Sequence, residues 1–415
     1  MAATDSYTGG DGRLSPLSTP SATRAVLEAH GIGTKYTLGQ NFLVNDDVLK
    51  KIIALAEVDE ADRVLEVGPG IGTLTIALLK HAASVVAIER DPDLPAVLAD
   101  TLHPWRDKFA LIEKDALDVT EGDIVSAAST VAEFGGISGG AHQASSAAKF
   151  TSTMVEPGGD TGCPDRASSA ANETAQWAVS QSEDCLSESG YPVAPPQEDL
   201  QPSLPDKLVA NLPYAVAATV VLDYFENFPF LDSATIMVQK EVADRMTAAV
   251  GTKNYGAYTV KLGLYAEPAG RFAVGPGNFF PPPRVDSAVI RLNRRTPRLF
   301  DGAPATPEVI AAAALMADAA FTNRRKTIAN SCKTYFSGRG SLLLGASGSS
   351  AGLRAVDGAL SGGVGGAFVL DGADIVDHLP AIFDAAAIDP RRRGETLTQQ
   401  EFLALGAALL KEATV

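Results

Sequence analysis

The stretch Arg63-Val64-Leu65-Glu66-Val67-Gly68-Pro69-Gly70-Ile71-Gly72 sets a short apolar run against three glycines at alternate positions. Arg63 to Val67 reads as a β-strand and Gly68 to Gly72 as the tight turn that ends it. Thr73 to His81 follows with helical length. Strand, glycine turn and helix in succession open a unit of an α/β fold. Glycines at the C-terminal end of such a strand let the backbone approach a ligand closely.

Working outward, Ser84 to Glu89 reads as a strand, Pro92 to Leu102 as a helix and Phe109 to Glu113 as a strand. Upstream, 46–57 is a helix, with Val48, Leu49, Ile52, Ile53 and Leu55 apolar and a cap at Asn45 or Asp46. Another helical stretch covers 21–30. This alternation predicts an α/β fold with a parallel sheet and helices on both faces. The sheet resumes at Lys207 to Ala210, followed by a helix at 215–227, a strand at Ser233 to Gln239 and a late strand at 285–292. Beyond residue 300 the pattern is helical, at 307–320, 322–336, 373–386 and 398–412, the last capped at Thr398. The expected organisation is a disordered tail over 1–20, an α/β domain over 21–299 and a small α-helical domain over 300–415.

Two segments break the pattern. Between 126 and 203 the chain turns to Ser, Ala, Gly, Glu and Pro with little periodicity, which predicts a disordered low-complexity insertion. Residues 337–367 form a second, Gly/Ser-rich segment, expected to be a flexible loop. Of the formal net charge of −16, a net of −9 lies between 126 and 206, where eleven acidic residues face two basic ones. Outside it, basic residues cluster at Arg291, Arg294, Arg295 and Arg298, at Arg324, Arg325 and Lys326, and at Arg391 to Arg393. A local basic face matters more for phosphate binding than the global sum. No apolar run approaches the ~20 residues of a membrane span, and the polar first thirty residues lack a signal-peptide core. Cys163, Cys185 and Cys332 are scattered, with no metal-ligand spacing, as expected of a cytoplasmic protein.

The glycine turn alone serves a dinucleotide or S-adenosylmethionine. Glu89, closing the second strand, can accept hydrogen bonds from both ribose hydroxyls of either. Asp115, after the third strand, can accept from an adenine amine. Gly68 and Gly70, Glu89 and Asp115 thus mark successive strand ends of one sheet edge. Glu66 either braces the loop or lies near a sulfonium. At the end of the fourth strand stands Asn211-Leu212-Pro213-Tyr214. An exocyclic adenine amine is a poor nucleophile because its lone pair is delocalised into the ring. The Asn211 side-chain carbonyl and the Leu212 backbone carbonyl can accept both N–H groups and free that lone pair. Pro213 stiffens the turn, and Tyr214 offers a face for stacking, worth roughly 1–3 kcal/mol per base. In Phe279-Phe280-Pro281-Pro282-Pro283-Arg284-Val285-Asp286-Ser287, the prolines make a rigid loop. Phe279 is a candidate for the opposite face of an extruded base, and Phe280 for the core.

Gly39 to Leu43, Val67 to Gly70, Asn211 to Tyr214, Gln239 to Val242, Phe279 to Ser287 and Phe321 to Lys326, in this order, resemble the small-subunit rRNA adenine N6-dimethyltransferases of the KsgA/RsmA family. The likeness covers about 23–125, 204–336 and 374–412. It implies a Rossmann-like class I methyltransferase sheet with helices on both faces and a small α-helical C-terminal domain. It implies dimethylation of two adjacent adenosines in the 3′-terminal hairpin of 16S rRNA, in an assembling 30S subunit, by a cytoplasmic and monomeric enzyme without a metal. It places Asn41, Leu43, Gly68, Glu89, Asp115 and Asn211 at the S-adenosylmethionine. Methylation of a 23S rRNA adenine would use the same chemistry. A nicotinamide oxidoreductase is disfavoured because Gly68 to Gly72 lacks the Gly-x-Gly-x-x-Gly spacing. A purely RNA-binding assembly factor is disfavoured by the intact Asn-Leu-Pro-Tyr segment.

Overall fold

The computed structural model describes residues 12–33, 41–131, 204–344, 354–355 and 368–413. The expected insertion lies outside the described residues from 132 to 203, as do residues 1–11 of the expected tail. In chain order the first half comprises α1 (Pro20–Ala29), β1 (Phe42–Leu43), α2 (Asp46–Ala56), β2 (Arg63–Val67), α3 (Thr73–Leu79), β3 (Ser84–Ile88), α4 (Leu94–Thr101), β4 (Phe109–Ile112) and α5 (121–131). Then come β5 (Lys207–Asn211), α6 (Ala217–Asn227), β6 (Ser233–Gln239), α7 (Lys240–Met246), α8 (Ala257–Tyr265), β7 (Ala266–Val274), β8 (Phe279–Phe280) and β9 (Ser287–Arg294). The C-terminal part holds α9 (Pro307–Phe321), α10 (Ile328–Phe336), β10 (Ser341–Leu344), β11 (Arg354–Ala355), β12 (Phe368–Asp371), α11 (Gly372–Ala385) and α12 (Gln399–Ala413).

Seven strands form one sheet in the order β4-β3-β2-β5-β6-β9-β7. β4 through β6 pair in parallel, and β9 runs antiparallel to both β6 and β7. The sheet is therefore mixed: the strands of the alternating β/α stretch pair in parallel, as the alternation predicts, and β9 is added antiparallel. β2 and β3 are apolar almost throughout because both faces are covered. One face packs on α1 to α4 through residues such as Leu49, Ile52 and Leu78. The other packs on α5 to α8 through residues such as Ile124, Tyr224 and Leu262. From β2 the chain builds outward to β3 and β4, then returns to build β5 and β6 on the other side. That reversal opens a crevice beyond the carboxyl ends of β2 and β5, the place where open α/β sheets bind ligands.

Several elements escape sequence reading. β7 is a sheet edge whose residues are mostly exposed, so no apolar alternation announces it. Pro268 is tolerated there because an edge strand needs to donate on one side only, and the pairing shifts register between Pro268 and Gly270. β1 and β8 are a two-residue pair, Leu43 opposite Phe279 and Phe42 opposite Phe280, joining segments more than 230 residues apart. The segment 12–19 is not a disordered tail: Ser15, Leu17 and Ser18 are buried. Asp46 Oδ1 accepts the Leu14 and Ser15 backbone N–H groups. The expected start of the insertion at 126 falls inside α5, where Ala128 is buried.

In the C-terminal part, α9 and α12 pack so closely that a Cβ on Gly406 would lie 2.6 Å from the Ala313 nitrogen and the Val309 oxygen. The expected helix 322–336 starts only at Ile328, because Thr327 caps it by accepting the Asn330 N–H. Thr398 and Glu401 cap α12 reciprocally: Glu401 Oε2 accepts the Thr398 N–H and Thr398 Oγ accepts the Glu401 N–H. The segment 337–367, expected as a loop, contributes β10 and β11 to a small antiparallel sheet with β12. Tyr255, Val260 and Leu264 join the core of this part, so it begins structurally before residue 300.

Candidate active site

Gly68, Gly70 and Gly72 all take positive φ, at 71°, 60° and 89°. A side chain would be strained at each, which is why the turn is written in glycine. A Cβ on Gly70 would also press to 3.2 Å from the Phe42 ring. The turn opens onto a cavity of about 460 Å³ at the carboxyl edge of β2, β3, β5 and β6. Asn41, Leu43, Gly68, Gly70, Glu89, Asp115 and Asn211 all line it, and so do Leu212, Pro213 and Tyr214. The structure thus brings together every sequence candidate but one.

The exception is Phe279. It does not line the cavity; its ring is 4% exposed and belongs to the core beneath β1. The pairing of β8 with β1 turns it inward. Phe280, expected in the core, is the half-buried ring of the pair, and the Arg24 guanidinium sits over it at 5.3 Å. Neither ring lines the cavity: Phe280 packs against the edge of the same core, whereas Phe279 does not stand where a base-stacking ring is expected.

Each remaining group is held in a definite state. Glu89 is buried, and its Oε1 accepts the backbone N–H groups of Arg90 and Asp91 at 2.9 and 2.8 Å. Burial raises its carboxyl above the usual range, against the pull of those N–H groups. Asp115 is held low by the Leu117 N–H and by Arg90, whose Nη1 lies 2.8 Å away. Glu66 is 1% exposed, and burial pushes its carboxyl up to about 8, with the nearby Glu89 charge adding to the rise. Among the described residues Glu66 Oε2 and Thr73 Oγ have no hydrogen-bond partner. Both residues line the cavity, although these two oxygen atoms are themselves buried.

At the end of β5, the Leu212 N–H donates to the Met237 carbonyl, which fixes that peptide plane. Asn211 Nδ2 donates to the Asn41 backbone carbonyl at 3.2 Å. A backbone carbonyl can only accept. The Asn211 amide is therefore turned so that its own carbonyl oxygen is the group left for a ligand. The Tyr214 hydroxyl lies 2.6 Å from Ser287 Oγ, which is fully buried. Burial raises the Tyr214 phenol, so it stays neutral. Ser287 is a supporting residue that sequence reading does not single out. Its only signal is its place at the end of the proline loop.

The basic clusters divide. Arg294 donates to the carbonyls of Leu231, Phe225 and Phe228 and stacks on Phe225. Arg291 pairs with Glu57, Arg324 with Glu395 and Arg392 with Glu401. These four are tied to other parts of the fold; Arg391 is exposed and pairs with Asp389, and Arg325 and Lys326 are exposed. Among the described residues no group of three His, Cys, Asp or Glu side chains is placed to hold a metal, and no helix is long and apolar enough to cross a membrane.

A glycine turn and acids at two strand ends, all lining one cavity, fit S-adenosylmethionine. Comparison with known proteins agrees with this geometry. The family model described as ribosomal RNA adenine dimethylase matches residues 33–345. The ribosomal RNA small subunit methyltransferase A of Staphylococcus aureus (strain Newman) is 29% identical over 389 residues, 94% of each chain. Among solved structures, a dimethyladenosine transferase from Plasmodium falciparum superimposes with a TM-score of 0.50 at 19% identity. That alignment covers 89% of this chain and 98% of the other. The chain belongs to the ribosomal RNA adenine dimethylase family and is an S-adenosylmethionine-dependent methyltransferase.

Proposed function

We propose that this enzyme converts two adjacent adenosines in the 3′-terminal hairpin of 16S rRNA to N6,N6-dimethyladenosine, acting as a cytoplasmic monomer on the assembling 30S subunit. The likeness to a small-subunit methyltransferase over 94% of both chains supports the choice of RNA. The observation that carries the chemistry is the hydrogen bond from Asn211 Nδ2 to the Asn41 carbonyl.

Asn41, Leu43, Gly68, Gly70, Glu89 and Asp115 would hold S-adenosylmethionine, with Glu89 accepting from the ribose hydroxyls and Asp115 from the adenine amine. The cofactor supplies an electrophilic methyl group on a cationic sulfur. The chain's own task is to make the acceptor amine nucleophilic. The Asn211 side-chain oxygen and the Leu212 carbonyl accept the two N–H groups, which draws the nitrogen toward sp3 geometry and localises its lone pair. On taking up that methyl group, the amine nitrogen would give up one proton to solvent. No strong base is needed, because orientation and preformed dipoles lower the barrier. Tyr214, held by Ser287, supplies a neutral ring face for the extruded base.

The test is incubation with unmethylated 30S subunits and labelled cofactor, followed by nucleoside mass spectrometry of the 3′-terminal fragment. Two dimethyladenosines in that fragment are expected. Label confined to 50S subunits, or no dimethyladenosine, overturns the reading.

A further inference from the structure

We infer that Gln239 is a substrate-recognition residue that donates a hydrogen bond from its carboxamide to a ring nitrogen of the target adenine. This rests on the adenine reading above and deepens it.

Gln239 closes β6 and is the residue of that strand that lines the cavity. Strand register fixes its surroundings. Asn211 stands opposite Met237, and Gln239 opposite Ser287. Paired residues and residues two apart along a strand share a face of the sheet. Asn211, Met237, Gln239 and Ser287 therefore lie on one face. Ser287 is the residue that holds the Tyr214 hydroxyl at 2.6 Å. Gln239 thus adjoins the Asn211–Tyr214 end of the cavity, away from Glu89 and Asp115 at the ends of β3 and β4.

The carboxamide is also uncommitted. Gln239 occupies the position before α7, yet its side chain makes no capping bond there. Among the described residues it has no hydrogen-bond partner, although the residue is half-buried. A half-buried amide with unused donors beside a base-binding surface is completed by a ligand. Once Asn211 and Leu212 accept both N–H groups of the amine, the base still presents N1 and N7 on either side of it, and both can only accept. The Leu212 N–H is bound to Met237 and one of the two Asn211 side-chain N–H groups holds Asn41, so at most one Asn211 N–H is left for two acceptors. The Gln239 amide supplies a further donor. Glutamine meets adenine edges in this way elsewhere.

The experiment uses 30S subunits reconstituted with 16S rRNA carrying adenosine, 1-deazaadenosine or 7-deazaadenosine at a target position. Wild type, Gln239→Leu and Gln239→Glu are compared, and cofactor affinity is measured by calorimetry as a control for folding. Gln239→Glu keeps size and removes the donor, so packing loss is separated from loss of the bond. Both variants should lose on the order of tenfold in kcat/KM with adenosine at unchanged cofactor Kd. Wild type should lose about the same factor with one of the two deaza substrates, and the variants should lose nothing further with it. Multiplying losses with both deaza substrates, or a cofactor Kd shifted as much as activity, overturns the inference while leaving the adenine reading intact. Absence of adenosine methylation by wild type overturns the reading itself.

Discussion

Replacing Glu66 by glutamine should make the ligand-free protein more stable at alkaline pH and change little at acid pH. The Glu66 carboxyl is fully buried between β2 and the head of α3, and burial raises its pKa from 4.5 to about 8 in the folded protein. The folded state therefore holds a proton that the unfolded state releases over that range. Below about 4.5 both states are protonated and the group costs nothing. As pH climbs toward 8, the wild type must either bury a charge or keep its proton against solution, and stability falls. At roughly 1.4 kcal/mol for each pH unit separating the two values, the full difference above pH 8 is on the order of 5 kcal/mol. Glutamine has the same shape and no charge to bury, so the variant escapes this loss. The assay is urea unfolding of wild type and Glu66→Gln between pH 5 and 9, read by intrinsic fluorescence. Glu226, pushed up to about 7 by burial, titrates in the same window in both proteins and cancels in the difference between them. Parallel pH profiles for the two proteins would refute the reasoning.

Asn211→Ala removes the proposed amine acceptor and should lower kcat by about 10²–10³ with cofactor affinity changed less than tenfold; single-turnover methylation and calorimetry check both parts. Glu89→Ala should weaken cofactor binding by at least about tenfold, since a ribose loses its acceptor and a buried carboxylate's backbone partners are left open; unchanged calorimetric affinity counts against the ribose contact. Gly406→Leu should destabilise the C-terminal part by more than about 2 kcal/mol, because even a Cβ meets backbone at 2.6 Å; an unaltered urea midpoint contradicts this.

How much was legible in the sequence depended on how local the signal is. The strand–glycine–helix unit at 63–79 is announced by residue types that only one local conformation accommodates. The positive φ at Gly68, Gly70 and Gly72 is its structural counterpart. Glu89 and Asp115 are findable because a parallel sheet puts successive strand ends on one edge. The cap at Thr398 is likewise a short-range pattern. Asn41 and Leu43 reach the cavity only because β1 pairs with β8, and that pairing also buries Phe279. No local pattern in either segment predicts the other.

The sequence by itself determined the α/β class, the glycine turn, the acids at the strand ends and the place of Asn211-Leu212-Pro213-Tyr214 at the cavity, since each depends on residues adjacent in the chain or on strand order. Tertiary structure alone decided the antiparallel placement of β9, the burial of Phe279 away from the cavity, the amide orientation of Asn211 and the inward use of Arg291 and Arg294. Each of these depends on a partner far along the chain. Burial and hydrogen bonding are properties of that pairing rather than of either residue.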